Sequence, residues 1–136
     1  MFKLIKNAEI FAPEPIGKAS ILLCGETIAW MGETFPAERT LPELEIFDAE
    51  GMTAMPGIVD GHVHITGGGG EGGGATRTPE LLLSDMVRGG VTAVVGLSGT
   101  DDVTRSTGAL IAKANGLIAE GVSAWAMSGS YQFPLK

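Results

Sequence analysis

The chain's two histidines stand two residues apart, in the run Asp60-Gly61-His62-Val63-His64. Along an extended strand, alternation puts positions 60, 62 and 64 on one face. Two imidazoles and a carboxylate would then point the same way, a donor set that suits Zn²⁺, Co²⁺ or Mn²⁺. Two histidines do not complete a catalytic zinc site, which takes three protein ligands and an open position. A bare pair can also be a chance arrangement on a loop or barrel wall. Its setting distinguishes this one: a strand start at Met55-Pro56-Gly57 precedes it and a glycine-rich loop directly follows.

That loop, Gly67-Gly68-Gly69-Gly70-Glu71-Gly72-Gly73-Gly74, has three readings. A flexible linker is one, but linkers separate self-contained units and this stretch lies inside a strand-loop-helix unit. A phosphate cradle is the second, but no Gly-Lys-Ser/Thr follows and the run does not open directly into a helix. The third is an active-site loop whose backbone approaches a ligand closely, with Glu71, alone among seven glycines, as the contact for a cationic substrate group. Tyr131, the only tyrosine, is either a phenol poised at a strand end or a buried ring with a local backbone partner. Cys24, the only cysteine, follows Ile21-Leu22-Leu23 and reads as a small core residue rather than a nucleophile.

The elements that must position these groups fall into two modules. Residues 1–55 read as a small β-rich module with one face buried, built as an antiparallel sheet. Residues 21–23 and 27–31 pair across a tight turn at Gly25-Glu26, Leu44 to Ala49 alternates again, and prolines 13, 15, 36 and 42 punctuate the loops. Residues 56–136 alternate strand and helix. Ile58–Ile65 reads as a strand. Thr78 reads as an N-cap ahead of Pro79 and Glu80, opening a helix with Leu81, Leu82, Met86 and Val87 on one face and Gly89-Gly90 at its end. Val91–Leu97 is apolar enough for a strand buried on both faces. Leu110, Ile111, Ala114, Leu117 and Ile118 keep helical spacing, and Val122–Met127, after Gly121, is a third strand. The order is a parallel α/β arrangement. A (β/α)8 barrel takes about 250 residues, so these 80 or so supply about two and a half of its units.

Composition removes other classes. Nine Lys and Arg stand against 16 Asp and Glu, a formal charge of -7, which argues against nucleic acid as partner. One cysteine leaves no disulfide framework and no thiolate zinc cluster. No apolar run approaches the ~18 residues of a membrane helix, and the charged start Met1-Phe2-Lys3 is unlike a signal peptide. The expected location is the cytoplasm, without membrane association. Glycine, 21 of 136 residues, is about twice the ordinary share, and the excess gathers in the loop after the histidines.

Met55-Pro56-Gly57-Ile58-Val59-Asp60-Gly61-His62-Val63-His64 resembles the first barrel strand of the amidohydrolase superfamily. These are metal-dependent (β/α)8-barrel hydrolases that include dihydroorotases, hydantoinases and the catalytic subunit of urease. Further segments resemble, more selectively, the isoaspartyl (β-aspartyl) dipeptidases: Gly67 to Glu71, Thr76-Arg77-Thr78-Pro79-Glu80, Val94-Val95-Gly96-Leu97 with Gly99-Thr100-Asp101, Gly121-Val122-Ser123-Ala124-Trp125 and Gly129-Ser130-Tyr131. The likeness runs through residues 51–134 and is weak before them.

The resemblance implies the N-terminal part of a TIM-like barrel, incomplete here, preceded by a small β-sandwich module. It implies His62 and His64 as paired ligands of the more buried metal in a two-zinc centre. Glu71 would pair with the free α-amino group of the isoaspartyl residue, and Gly69 and Thr100 would help hold its aspartyl end. Tyr131 would polarise the scissile carbonyl and stabilise the oxyanion. The family's bridging lysine, its second pair of histidines, its catalytic aspartate and its carboxylate-gripping arginines come from later strands and have no counterpart here. Lys113 falls on a helix and Lys136 comes too early to bridge metals. The chain is therefore expected to be an N-terminal portion of a homo-oligomeric zinc enzyme acting on small dipeptides, inactive by itself. Three rivals remain: a cyclic-amide hydrolase of the dihydroorotase or hydantoinase kind, a non-catalytic structural relative, and a truncated product.

Overall fold

A computed structural model describes residues 1–100, 104–129 and 133. The chain divides into two compact units, Met1–Pro56 and Gly57–Lys136.

The first unit is a five-stranded sheet. Its strands are β1 (Phe2–Phe11), β2 (Pro15–Cys24), β3 (Thr27–Gly32), β4 (Leu44–Asp48) and the short β5 (Thr53–Ala54). The order is β3-β2-β1-β4, with β5 also on β1. The hairpin across Gly25-Glu26 forms as expected, with Gly25 at φ 59°. The sheet is mixed rather than antiparallel: β4 and β5 run parallel to β1. Residues 33–43 supply the crossover that a parallel pair requires, tied down by Lys6 Nζ at 2.9 Å from Glu38. Between Ile5 and Ala8 two residues of β1, Lys6 and Asn7, oppose the single Ser20 of β2, a bulge with Asn7 at φ 61°. The bulge reverses the alternation, so Ile5 joins Ala8 and Ile10 against Ala19, Ile21 and Ala49. Leu4, opposite Leu22, is buried too, so burial is not confined to the residues of one face. Cys24 is exposed at the end of β2, contrary to its expected place in the core, because the strand's buried run stops at Leu22.

The second unit is α/β. A parallel sheet of order β6-β7-β8 joins β6 (Ile58–Val63), β7 (Val91–Gly96) and β8 (Ser123–Ala126). Helix α1 (Leu83–Arg88) packs on β7 and α2 (Thr107–Ala119) on β8. The core gathers Ile65, Met86, Val94, Leu110, Ala114, Leu117 and Ala124. The described strands form open sheets with no closed barrel among them. Ser106 caps α2, its Oγ accepting from the Ala109 N–H at 3.2 Å, and Gly121 ends it at φ 94°. Helix α1 departs from expectation. It starts at Leu83 behind Leu82, which makes no side-chain cap, because the Thr78 hydroxyl that would cap an earlier start is bonded to the glycine loop instead. Met86 is buried, but Val87, Ile111 and Ile118 are exposed, so the apolar stripe on each helix is wider than the surface it covers here. No helix among the described residues is long and apolar enough to cross a membrane.

Candidate active site

Three segments converge because they leave the same end of a parallel sheet. His62 and His64 lie at the C-terminal end of β6, residues 97–100 follow β7, and residues 127–129 follow β8. In parallel α/β sheets this end is where ligands are bound. Backbone bonds tie the segments together: Leu97 N–H to the Val63 carbonyl at 3.0 Å and Met127 N–H to the Gly96 carbonyl at 2.7 Å. The Ser98 hydroxyl adds a bond to the Gly129 carbonyl at 2.9 Å. Tyr131 lies outside the described residues.

The histidine pair forms, though not on a regular strand. Between Asp60 and Val63 three steps along β6 match two along β7, so a bulge re-aims His62, and His64 is the first residue past the strand. The rings lie 5.7 Å apart, edge to face. One ion about 2.0–2.1 Å from a nitrogen of each ring would set the centroids roughly 5–6.5 Å apart, so the two imidazoles fit one shared metal. His64 Nδ1 is buried and has no hydrogen-bond partner, which leaves that ring with an unsatisfied polar atom at the site. The ring is flanked by glycines: a Cβ on Gly68 would come 3.6 Å from it and one on Gly99 3.2 Å from Nδ1. Asp60 does not join the pair. Its Oδ1 accepts the His62 backbone N–H at 3.1 Å, a local turn of the kind aspartate favours. Among the described residues no group of three His, Cys, Asp or Glu gathers.

The glycine-rich loop is not an extended linker. It folds back on residues 76–78. The Gly68 N–H donates to Thr78 Oγ1 at 2.7 Å, the Thr78 N–H to the Gly68 carbonyl at 2.9 Å and the Gly70 N–H to Thr76 Oγ1 at 3.2 Å. A Cβ on Gly69 would stand 2.3 Å from the Thr76 carbonyl oxygen, so glycine is needed there for the loop's own packing. This is a different reason from approach to a ligand.

Glu71 and Thr100, 29 residues apart, are brought together: the Thr100 hydroxyl donates to Glu71 Oε1. That bond is the main cause holding the Glu71 carboxyl below the usual carboxylate range, with a hydrogen bond from its own backbone N–H and the Arg105 guanidinium adding to it. Glu71 is thus an anion at neutral pH. The sequence gives no sign of Arg105. It is a single cation just before a helix cap, yet it is only 4% exposed and donates to the carbonyls of Gly69 and Thr78. Lys113 sits on α2, 3.4 Å from Glu80, away from any bridging role.

No protein-family model matches the chain. The chain is similar over 99% of its length to the crystal structure of β-aspartyl dipeptidase from Fervidobacterium islandicum AW-1 in complex with a β-Asp-Leu dipeptide, at 50% identity and TM-score 0.91. A second structure of that protein superposes with TM-score 0.93. D-hydantoinase from Thermus sp. is 31% identical over 70% of the chain, with TM-score 0.53. Dihydroorotase of Staphylococcus aureus is 35% identical over 104 residues, 76% of the chain. The chain spans 35% of the dipeptidase structure's length and 23% of the dihydroorotase's. The resemblance to β-aspartyl dipeptidases therefore holds along nearly the whole chain, and the dihydroorotase likeness fits the same superfamily.

Proposed function

We propose that this chain, alike to a β-aspartyl dipeptidase over 99% of its length, carries the first metal ligands and the amino-group recognition of an enzyme that hydrolyses the β-aspartyl bond of small dipeptides. In this reading it is the N-terminal part of a (β/α)8 barrel, incomplete here, with residues 1–55 contributing to a β-sandwich module. The observation that carries the reading is the meeting of Glu71 and Thr100 beside the paired rings of His62 and His64. An anionic carboxylate on a closely packed loop suits the free α-amino group that distinguishes an isoaspartyl residue.

His62 and His64 would hold zinc, as one pair of ligands in a two-zinc centre whose other ligands come from outside this chain. When bound, the metal supplies Lewis acidity and lowers the pKa of water so that it attacks at neutral pH. The chain's own residues bind and orient. Glu71 takes the α-amino group, Gly69 and Thr100 hold the aspartyl end, and Tyr131 donates its phenol proton as a hydrogen bond to the carbonyl oxygen as charge grows there. Water adds to the side-chain carbonyl carbon, the C–N bond breaks and the amine leaves protonated. The enzyme is cytoplasmic and homo-oligomeric in this proposal, and engages neither nucleic acid nor membrane.

The direct test is turnover of β-Asp-Leu by the complete protein, set against dihydroorotate and a hydantoin. Ring opening without dipeptide hydrolysis would favour the cyclic-amide reading, which the 35% identity to a dihydroorotase supports. A zinc-loaded protein inactive on all three would favour a non-catalytic relative. Glu71→Gln is expected to lower kcat/KM for β-Asp-Leu about 10- to 150-fold, the worth of one charge-assisted hydrogen bond at about 1.5–3 kcal/mol. An unchanged value would make Glu71 a bystander.

Residues 1–136 alone are expected to be inactive, since two imidazoles leave a zinc site without its third protein ligand. They are also expected to aggregate. Val59, Val87 and Trp125 are 68%, 65% and 56% exposed, and β6 and β8 are edge strands. Size-exclusion chromatography, cooperative melting and β-Asp-Leu hydrolysis with added Zn²⁺ check this. A monodisperse, active chain would refute it.

A further inference from the structure

Arg105 is a buried cation, and a buried guanidinium is retained only where its donors are used. Its Nη1 donates to the Gly69 carbonyl at 3.0 Å and its Nη2 to the Thr78 carbonyl at 3.1 Å. Gly69 stands on the outgoing limb of the glycine loop and Thr78 on the returning one, so the planar fork clasps the neck of the loop that carries Glu71. A Cβ on Gly67, at the same neck, would stand 3.1 Å from Nη2, which shows how closely the backbone closes on the guanidinium. The arginine has a firm base. It immediately precedes Ser106, the cap of α2, and α2 is fixed by Leu110 and Leu117, which are 2% and 1% exposed. Five residues before it, Thr100 holds the Glu71 carboxylate. Thr100 therefore holds the loop at its tip and Arg105 at its neck.

We infer that Arg105 is a positioning residue for substrate recognition: it transmits the rigidity of α2 to the loop and so fixes where the Glu71 carboxylate meets the substrate's amino group. The inference rests on the reading of Glu71 given above. A lysine keeps the charge but lacks the planar fork that presents two donors in fixed geometry.

The test uses the complete protein with Arg105→Lys, Arg105→Gln, Glu71→Gln and the double variant Glu71→Gln/Arg105→Gln. Arg105→Gln is expected to lower kcat/KM for β-Asp-Leu roughly 10- to 100-fold, mainly through KM, with zinc content unchanged. Arg105→Lys should recover part of that loss. Because Arg105 acts through Glu71, the double variant should be little worse than the worse single one. Hydrogen exchange of residues 67–78 should quicken in both Arg105 variants while Met1–Pro56 stays unchanged. Multiplicative losses in the double variant, or unaltered exchange in the loop, would overturn the inference. A complete protein that exchanges as expected yet does not cleave β-Asp-Leu would sink the dipeptidase reading and leave the clasp standing. If Arg105→Gln fails to fold, Arg105→Lys decides the matter by the same exchange and KM readouts.

Discussion

His62→Ala and His64→Ala, each made in the complete protein, are expected to abolish β-Asp-Leu hydrolysis, a fall of about a thousandfold or more in kcat/KM, and to lower bound zinc. Metal catalysis contributes several kcal/mol of charge stabilisation, and each 1.4 kcal/mol is about tenfold in rate. The rings stand 5.7 Å apart, within the spacing one ion allows, so removing either breaks the same shared site. The two variants should differ in stability. His62 is exposed, whereas His64 is partly buried and packed between Gly68 and Gly99. Thermal melting should therefore register His64→Ala more than His62→Ala, while activity and zinc register both alike. Full zinc content and near-normal turnover in both variants would remove the histidines from the metal site.

Much of this arrangement is legible before any coordinates. Apolar periodicity marks the strands and helices of the second unit because side chains report which face is buried. It reports less well what lies beyond an element. Leu44 to Asp48 alternates as a strand should, but alternation is silent on direction. The signal for a parallel partner was the eleven residues between β3 and β4, long for a hairpin and suited to a crossover. Thr78 illustrates a different limit. Ahead of Pro79 and Glu80 it has every local feature of a helix cap, yet Gly68, ten residues earlier, takes its hydroxyl, a tertiary bond that local spacing cannot foresee. Strict period two puts Asp60 beside the histidines, and the bulge between Asp60 and Val63 undoes that period. Arg105 was illegible for a related reason. Its role is defined by two backbone carbonyls 36 and 27 residues away, and carbonyls leave no residue type to read.

The glycine loop offers the sharpest separation of backbone conformation from packing, and Gly67→Ala is expected to be more damaging than the same change at Gly73 or Gly74. Gly67 has φ +90°, and a Cβ there would stand 2.4 Å from the Thr78 carbonyl oxygen and 2.8 Å from that of Pro79. Both are backbone atoms that cannot swing aside as a side-chain tip would. Gly73 has nearly the same φ, +95°, but open space where its Cβ would go, and Gly74 has open space and no left-handed φ. The three alanine variants therefore form a series. Gly74→Ala should be close to neutral. Gly73→Ala should carry the conformational cost alone, about 1–3 kcal/mol for a backbone at φ 95° and ψ 178° that is essentially glycine-only. Gly67→Ala should add the displacement of residues 78–79, which at once shifts the carbonyl that Arg105 holds and the limb that returns from Glu71. In the complete protein kcat/KM for β-Asp-Leu should fall in the order Gly74→Ala, Gly73→Ala, Gly67→Ala, with Gly67→Ala down about a hundredfold or more, as a misplacement near 1 Å can produce. Zinc content should hold in all three, since His62 and His64 precede the strained backbone. Equal losses at Gly67 and Gly73 would mean that dihedral strain alone governs the loop, and that the close packing against residues 78–79 contributes nothing to placing Glu71.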